Sequence, residues 1–287
     1  YIHNLCDVVN CFTFETMCYI IKFQADISQH PYPKYIARIH RLCLSVLQTI
    51  YNSREKRTFV MKNMLNFKNF TADELMDILN LALDMKKNPD KYAHALEGKK
   101  LYTLFEKTST RTFLSFTTGI TELGGTYYNQ LWKDSNFTLG EPVSEIKYVC
   151  RNVDIIMARL VKNETVELFG NNVTVPFING CDSSYHPCQI LADALTIIEK
   201  FGSLDVKLMY IGAKNNVFNS LVEFFAKMKK GTIYGLTPLV NNTVCGDDFF
   251  EAAKATGHYV ELDPTMSMEE AKKSAVGYLK WAWSRAF

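Results

Sequence analysis

The chain has 287 residues, of which 47% are hydrophobic and 22% are charged. This composition is typical of a globular protein, and the length predicts one large or two medium domains. The net charge of +2 gives no indication of a nucleic-acid or membrane partner, no apolar run is long enough to span a bilayer, and no secretory signal pattern opens the chain.

The eight cysteines lack the spacing of metal ligands, because no CxxC and no neighbouring His/Cys pair occurs. We therefore expect free thiols, no metal site and a reduced, cytoplasmic setting. Residues 1–60 contain cysteines, aromatic residues and basic residues but no sustained amphipathic pattern. We interpret them as an extension of uncertain structure and expect the ordinary domain to begin near Met61.

The first regular element after Met61 is a helix. Thr71 followed by Glu74 forms a capping box, apolar residues then recur at helical spacing, and Asn88-Pro89 ends the pattern. These signals predict a helix that packs on the core.

A strand, a polar break and a second helix follow. Leu101 to Phe105 is an apolar, strand-like run, and Glu106 to Thr112 is polar. Phe113 then begins an amphipathic helix that Gly124-Gly125 ends. The polar break therefore lies where a strand leads into the first turn of a helix.

This break indicates an anion site. The unpaired N–H groups and the positive dipole end of a helix favour a negative charge. Ser109, Thr110 and Thr112 add hydroxyl donors, and Arg111 adds a planar fork that matches phosphate oxygens. The alternative is that the hydroxyl groups only cap the helix and that Arg111 points to water.

Strand and helix signals then alternate along the chain. Strands are predicted at 126–132, 153–158, 173–178, 206–211, 232–236 and 259–262. Helices are predicted at 143–151, 164–169, 188–201, 217–228, 247–255 and 266–275. The alternation predicts an α/β fold with doubly wound parallel sheets.

Two turns carry specific expectations. Asn163 is expected to cap the helix at 164–169, and Gly212 to Asn216 is expected to form a tight turn. Because Gly212 is the only glycine in that turn, the dinucleotide fingerprint is absent and no nicotinamide cofactor is expected. No P-loop, zinc motif or nucleophile elbow occurs.

Three polar residues lie where open α/β sheets bind their ligands. Arg159 ends the strand at 153–158, and His186 and Gln189 flank the start of the following helix. All three could reach the space beyond the strand ends. Position alone favours the simpler alternative, in which Arg159 extends to solvent and His186 caps the helix or lies on the surface.

Three motifs together resemble the aspartate/ornithine carbamoyltransferase family. They are FEKTSTRT at 105–112, the strand-end Arg159, and HPCQ at 186–189. The resemblance runs from about residue 61 to residue 274. FEK before STRT, Cys188 within HPCQ, and the pair Asn215-Asn216 resemble the ornithine branch of the family.

The resemblance implies two doubly wound parallel-sheet domains. Residues 61–190 would form the carbamoyl phosphate-binding domain and residues 191–287 a partial amino-acid (ornithine)-binding domain. The second domain is expected to be incomplete, because the chain ends before the SMG-type loop and the HCLP motif of the family.

The resemblance also implies the roles of the site residues. Ser109, Thr110, Arg111 and Thr112 would hold the phosphate of carbamoyl phosphate. Asn136 would be a further contact, from a loop that the family's trimers share between neighbouring subunits.

The remaining roles concern the reaction itself. Arg159 and His186 would hydrogen-bond the carbonyl oxygen, Gln189 would orient the carbamoyl amide, and Asn216 would bind the amino acid. The free side-chain amine of ornithine would attack the carbonyl carbon and phosphate would leave. No covalent enzyme intermediate, metal or cofactor is implied. The implied product is citrulline, in arginine biosynthesis, and the implied assembly is a homotrimer.

Several alternatives stay open at this point. The acceptor could be aspartate or another amine, the chain could be a truncated, non-catalytic paralogue that binds carbamoyl phosphate, or it could be a phosphate-binding module of unrelated chemistry. Departures from the family pattern bear on this choice. Phe113 stands where the family continues STRT with a second arginine, and Ala213 and Lys214 replace an acidic-plus-glycine turn.

Overall fold

The computed structural model describes residues 62–240, 245–267 and 270. The predicted extension at 1–60 and most of the predicted helix at 266–275 lie outside the described residues. No helix among the described residues is long and apolar enough to cross a membrane.

Seven helices are described between these limits. They are α1 (Ala72–Lys87), α2 (Thr110–Glu122), α3 (Pro142–Cys150), α4 (Asn163–Gly170), α5 (Pro187–Phe201), α6 (Asn216–Met228) and α7 (Asp247–Ala255). The capping box of Thr71 and Glu74 is formed at the start of α1. Gly202 ends α5 in the left-handed conformation, as its position after the apolar pattern predicts.

A four-stranded parallel sheet forms the first half of the described chain. Its strands are β1 (Lys100–Phe105), β2 (Thr126–Leu131), β3 (Ile155–Arg159) and β4 (Phe177–Cys181), in the order β2-β1-β3-β4. Because the order reverses between β1 and β3, the sheet is doubly wound and its crevice lies at their carboxyl ends. The register pairs Phe105 with Arg159, and Arg159 with Cys181.

A second parallel sheet contains three described strands in chain order. They are β5 (Lys207–Lys214), β6 (Thr232–Val240) and β7 (Tyr259–Glu261). The α/β class with two parallel sheets is therefore confirmed.

The largest hydrophobic cluster includes side chains associated with both sheets. Leu101 and Leu191 belong to it on the side of the first sheet, and Phe218, Ile233 and Tyr259 on the side of the second. All five are buried. One buried cluster therefore contains side chains from both sides of residue 190. The domain boundary at that residue stays a prediction.

Several local predictions were wrong. β3 begins at Ile155 and not at Val153, and β6 continues to Val240 instead of ending at Leu236. β4 begins at Phe177 and not at Val173, because Val173 is buried in the segment that connects α4 to β4. β5 continues to Lys214, so the expected tight turn from Gly212 is strand that pairs with β6 after an irregularity. Asn163 is the first residue of α4, not its cap, and its amide donates to Asp182 Oδ2 at 2.9 Å.

Candidate active site

The first turn of α2 lies directly beyond the carboxyl end of β1. Ser109 is the N-cap, and its hydroxyl oxygen accepts from the main-chain N–H of Thr112 at 3.4 Å. The Ser109 hydroxyl also lies 3.0 Å from Thr112 Oγ1. Thr110 and Arg111 are exposed on the same turn. The cap thus orders a turn whose first N–H groups have no partner within the helix, as an anion site requires.

Arg159 connects the end of β3 to this turn. Its Nη1 donates to Thr112 Oγ1 at 3.5 Å, and its carbonyl oxygen accepts from the N–H of Glu106 at 2.9 Å. Its Nε is buried and has no hydrogen-bond partner among the described residues. The guanidinium therefore contacts the first turn of α2, and its buried Nε–H is free to donate to a ligand.

His186 occupies the N-cap position of α5 and is half-buried. Its main-chain N–H donates to Ser220 Oγ at 2.8 Å. Its ring Nδ1 is buried without a hydrogen-bond partner in the described part of the chain. Burial, with the nearby charge of Arg159, lowers the pKa of His186 to about 3, so the imidazole is neutral at physiological pH.

Gln189 lies on the first turn of α5, and its N–H donates to the His186 carbonyl oxygen at 3.1 Å. Its side-chain amide donates to Asp193 Oδ1 at 3.1 Å, one turn further along the helix. Burial raises the pKa of Asp193 to about 7. Because Asp193 binds the amide nitrogen, it directs the Gln189 carbonyl oxygen to the other side.

Asn216 begins α6 and contacts the end of β4. Its Nδ2 donates to the Asp182 carbonyl oxygen at 2.6 Å and lies 3.3 Å from Cys181 Sγ. Cys181 is the register partner of Arg159. The second sheet therefore contributes Asn216 to the same edge at which Arg159 lies.

Asn136 lies on a different segment from the other sequence-predicted residues, and no described hydrogen bond joins it to them. It is exposed in a short 3-10 turn, Asn136–Thr138, after β2. The main-chain oxygen of Asn136 accepts from Leu139, which closes the turn. Its predicted role therefore has no support from contacts within one chain.

Three further residues shape the site without a motif that points to them. Asp193 holds Gln189, Ser220 holds the main chain of His186, and the Asp182 carboxylate accepts from the N–H groups of Ser184 and Tyr185 at 2.7 and 2.6 Å. Of these three, only Asp193 could have been found from the sequence, because it lies four residues after Gln189 on a predicted helix.

The arrangement combines an anion site with donors suited to a carbonyl oxygen. The first turn of α2 and two guanidinium groups, Arg111 and Arg159, favour a phosphate. Arg159 and the neutral ring of His186 offer uncommitted nitrogen atoms beside it. No group of three or more His, Cys, Asp or Glu that could hold a metal ion occurs in the described ranges.

Comparisons with known proteins match both halves of the described chain. Residues 62–199 match the family model "Aspartate/ornithine carbamoyltransferase, carbamoyl-P binding domain". An ornithine carbamoyltransferase of Listeria innocua is 43% identical over 163 residues, which are 56% of this chain and 52% of that protein. A catabolic ornithine carbamoyltransferase of Halobacterium salinarum is 35% identical over 227 residues, 74% of this chain and 76% of that protein.

Solved structures show the same likeness. The ornithine carbamoyltransferase from Pyrococcus furiosus superposes with a TM-score of 0.64 and 33% identity, covering 70% of this chain and 66% of that one. The catalytic subunit of the M. jannaschii aspartate transcarbamoylase superposes with a TM-score of 0.62 and 29% identity, covering 73% and 70%. The match to the Listeria protein spans about half the length of that relative, 52%.

Proposed function

The chain belongs to the aspartate/ornithine carbamoyltransferase family, and from this premise we propose that it transfers the carbamoyl group of carbamoyl phosphate to the side-chain amine of ornithine. The products would be citrulline and phosphate. The observation that carries the proposal is the contact between Arg159 Nη1 and Thr112 Oγ1, because it joins a carbonyl-polarising cation to a phosphate-type helix N-terminus.

The phosphate of the donor binds at the first turn of α2. Ser109, Thr110, Arg111 and Thr112 surround this turn. The N–H groups of the turn and the hydroxyl groups of Thr110 and Thr112 donate to the phosphate oxygens. The guanidinium of Arg111 supplies a positive charge. The carbonyl carbon of the donor then points toward Arg159.

The transfer proceeds by direct attack. The unprotonated amine of the acceptor forms a bond to the carbonyl carbon, and the carbonyl oxygen gains negative charge. Arg159 and the neutral His186 donate to that oxygen, and the carbonyl oxygen of Gln189 accepts from the carbamoyl NH₂. The C–O bond to phosphate breaks, phosphate departs with the electron pair, and the amine loses its extra proton to phosphate or solvent.

The acceptor side rests on Asn216. Its position beside Cys181 and Asp182 places an amide at the edge of the crevice, where it can contact the α-amino acid part of ornithine once its bond to Asp182 rearranges. Residues 191–287 would then form the acceptor domain and residues 61–190 the donor domain.

We include a homotrimer in the proposal. The exposed Asn136 would complete the donor site of a neighbouring subunit, which is consistent with its exposure in the turn after β2. The aspartate transcarbamoylases among the structural neighbours make aspartate the second candidate acceptor.

An assay that supplies either ornithine or aspartate as the acceptor, with matched arginine variants, tests the proposal. We expect citrulline from carbamoyl phosphate and ornithine, and no carbamoyl-aspartate when aspartate replaces ornithine. Arg159→Met should lower kcat by on the order of 100- to 1000-fold, because it removes a donor to the developing oxyanion. Arg151→Met removes an exposed arginine at the end of α3 and should leave kcat unchanged.

The other outcomes identify which part fails. Product with aspartate alone would replace the acceptor and keep the reaction. No product with either amino acid would contradict the proposal, as would an Arg159→Met variant as active as the Arg151→Met control.

A further inference from the structure

Four polar side chains follow one face of α6 at positions i, i+3, i+4 and i+7. They are Asn216, Asn219, Ser220 and Glu223, which we call the polar stripe of α6. Asn219 and Ser220 are fully buried, with 0% exposure. Polar groups at such positions require partners, and here the partners are main-chain atoms on the side of the first sheet.

Each member of the stripe makes one such contact. The contacts are Asn216 Nδ2 to Asp182 O at 2.6 Å, Asn219 Nδ2 to Ser184 O at 2.9 Å, His186 N to Ser220 Oγ at 2.8 Å, and Phe67 N to Glu223 Oε2 at 2.9 Å. Three of the four fall within the five residues 182–186. The stripe therefore holds the main chain of the loop that ends in His186.

The ring of His186 depends on this support. Its Nδ1 has no hydrogen-bond partner among the described residues, so no bond at that atom fixes the imidazole. The main chain that carries the ring is held by the bond from its N–H to Ser220. The next residue is Pro187, which has no N–H to add a second anchor.

We propose that Ser220 is a positioning residue for His186 in the proposed carbamoyl transfer, with Asn219 supporting the same loop from the preceding position of the stripe. The inference rests on the proposed function for its kinetic consequence, but the positional claim stands on the contacts alone. Helix α6, which connects β5 to β6 of the second sheet, thus positions His186, and His186 contacts the carbamoyl phosphate bound at the first sheet.

The positional claim is tested by NMR of ring-¹⁵N histidine in the full chain. The signals of His186 are assigned as those missing from His186→Gln. In Ser220→Ala the His186 ring signals should shift, and its pKa should move upward toward that of an ordinary histidine, because the loop loosens and admits water. Ser220→Thr keeps the hydroxyl and should restore the wild-type signals.

A matched control separates this effect from the general loss of a hydroxyl group. Thr196 on α5 donates its hydroxyl to the Ala192 carbonyl oxygen at 2.9 Å, and Thr196→Val removes that bond with little change of shape. The His186 signals should be unaffected in Thr196→Val. If Ser220→Ala does not fold, Ser220→Cys keeps a side chain of similar size with a much weaker acceptor and should show the same direction of shift.

Kinetics provide the second readout. Ser220→Ala should lower kcat by on the order of 10- to 100-fold with less than about a threefold change in KM for carbamoyl phosphate, because misplacement by about 1 Å can cost on the order of 100-fold. Unchanged His186 signals in a folded Ser220→Ala or Ser220→Cys variant would overturn the inference, as would an equal shift in Thr196→Val. If the wild type turns over neither amino acid, the proposed function fails and the NMR result alone decides the positional claim.

Discussion

Burial determines which side chains of α5 carry charge near the carboxyl edge of the first sheet. It lowers the pKa of His186 to about 3, with the charge of Arg159 as a second cause, and it raises the pKa of Asp193 to about 7. At neutral pH the imidazole is therefore uncharged. Arg159 provides the fixed charge and His186 a neutral hydrogen-bonding group.

The raised pKa of Asp193 predicts a pH-dependent stability. The native carboxyl binds its proton up to about pH 7, whereas the same carboxyl in an unfolded chain loses it near pH 3.8. Its contribution to the free energy of unfolding is therefore complete below pH 3.8 and is lost as the pH rises through 7. Asp193→Asn keeps an acceptor for Gln189 and removes the titration.

We expect Asp193→Asn to exceed the wild type in free energy of unfolding at pH 8 by on the order of 1–3 kcal/mol. The difference should shrink toward zero near pH 4. Urea unfolding followed by circular dichroism at pH 4, 6 and 8 measures it. A difference that is the same at all three pH values would show that Asp193 does not titrate in this range.

Single residues differ in how far the sequence alone could place them. The ends of strands predicted the neighbourhood of Arg159, His186 and Gln189, because a motif at a strand end has a defined place in a parallel sheet. Ser220 could not be found in this way. Its partner is a main-chain N–H 34 residues earlier in the chain, and a backbone group carries no residue-type signal.

At the level of elements, helices were predicted more closely than strand ends. The pattern at 247–255 gave the bounds of α7 without error, because both an apolar face and an acidic first turn mark it. The start of β4 and the end of β5 were misplaced. Valine residues are buried in connecting segments as well as in strands, and the extension of β5 to Lys214 depends on pairing with β6, which no local pattern reveals.

Two glycine residues at the ends of elements allow a matched test of turn geometry. Gly202 and Gly231 both adopt the left-handed conformation, with φ of +73° and +68°. A Cβ at Gly202 would meet nothing within 4 Å, whereas one at Gly231 would lie 2.4 Å from the main-chain oxygen of Leu204. The first site has only a conformational requirement, and the second adds a clash.

We expect Gly202→Ala to lower the free energy of unfolding by about 1 kcal/mol, the usual penalty for a left-handed non-glycine residue. Gly231→Ala should cost a further 1–3 kcal/mol or so, because backbone must move to admit the methyl group. Chemical denaturation of both variants provides the comparison. Equal losses would mean that the turn before β6 yields freely to the added methyl.

At the level of the whole molecule, the shared hydrophobic cluster predicts cooperative unfolding. Leu101 of the first sheet and Ile233 of the second belong to one buried cluster, and α6 packs its apolar face into it. Neither sheet has a complete core without the other. We therefore expect the two sheets to lose their structure together.

Methionine oxidation in increasing urea tests this expectation at defined positions. Met157 of β3 and Met209 of β5 are 0% and 1% exposed, one in each sheet. Their sulfoxides, quantified by mass spectrometry, should appear with the same urea midpoint. Met76 of α1 is half-buried and should oxidise at lower urea, as an internal control. Separate midpoints for Met157 and Met209 would show that the sheets unfold independently.

The polar stripe of α6 binds main-chain carbonyl and N–H groups of residues 182–186. These contacts do not depend on which side chains those residues carry. Ser184 meets Asn219 through its main-chain oxygen, so any residue at position 184 that keeps the loop path presents the same acceptor. The contact between α6 and this loop can therefore be kept while the residue at position 184 changes. Position 184 is for that reason a natural place to diversify the crevice, by evolution or by a laboratory library, at little risk to the placement of His186.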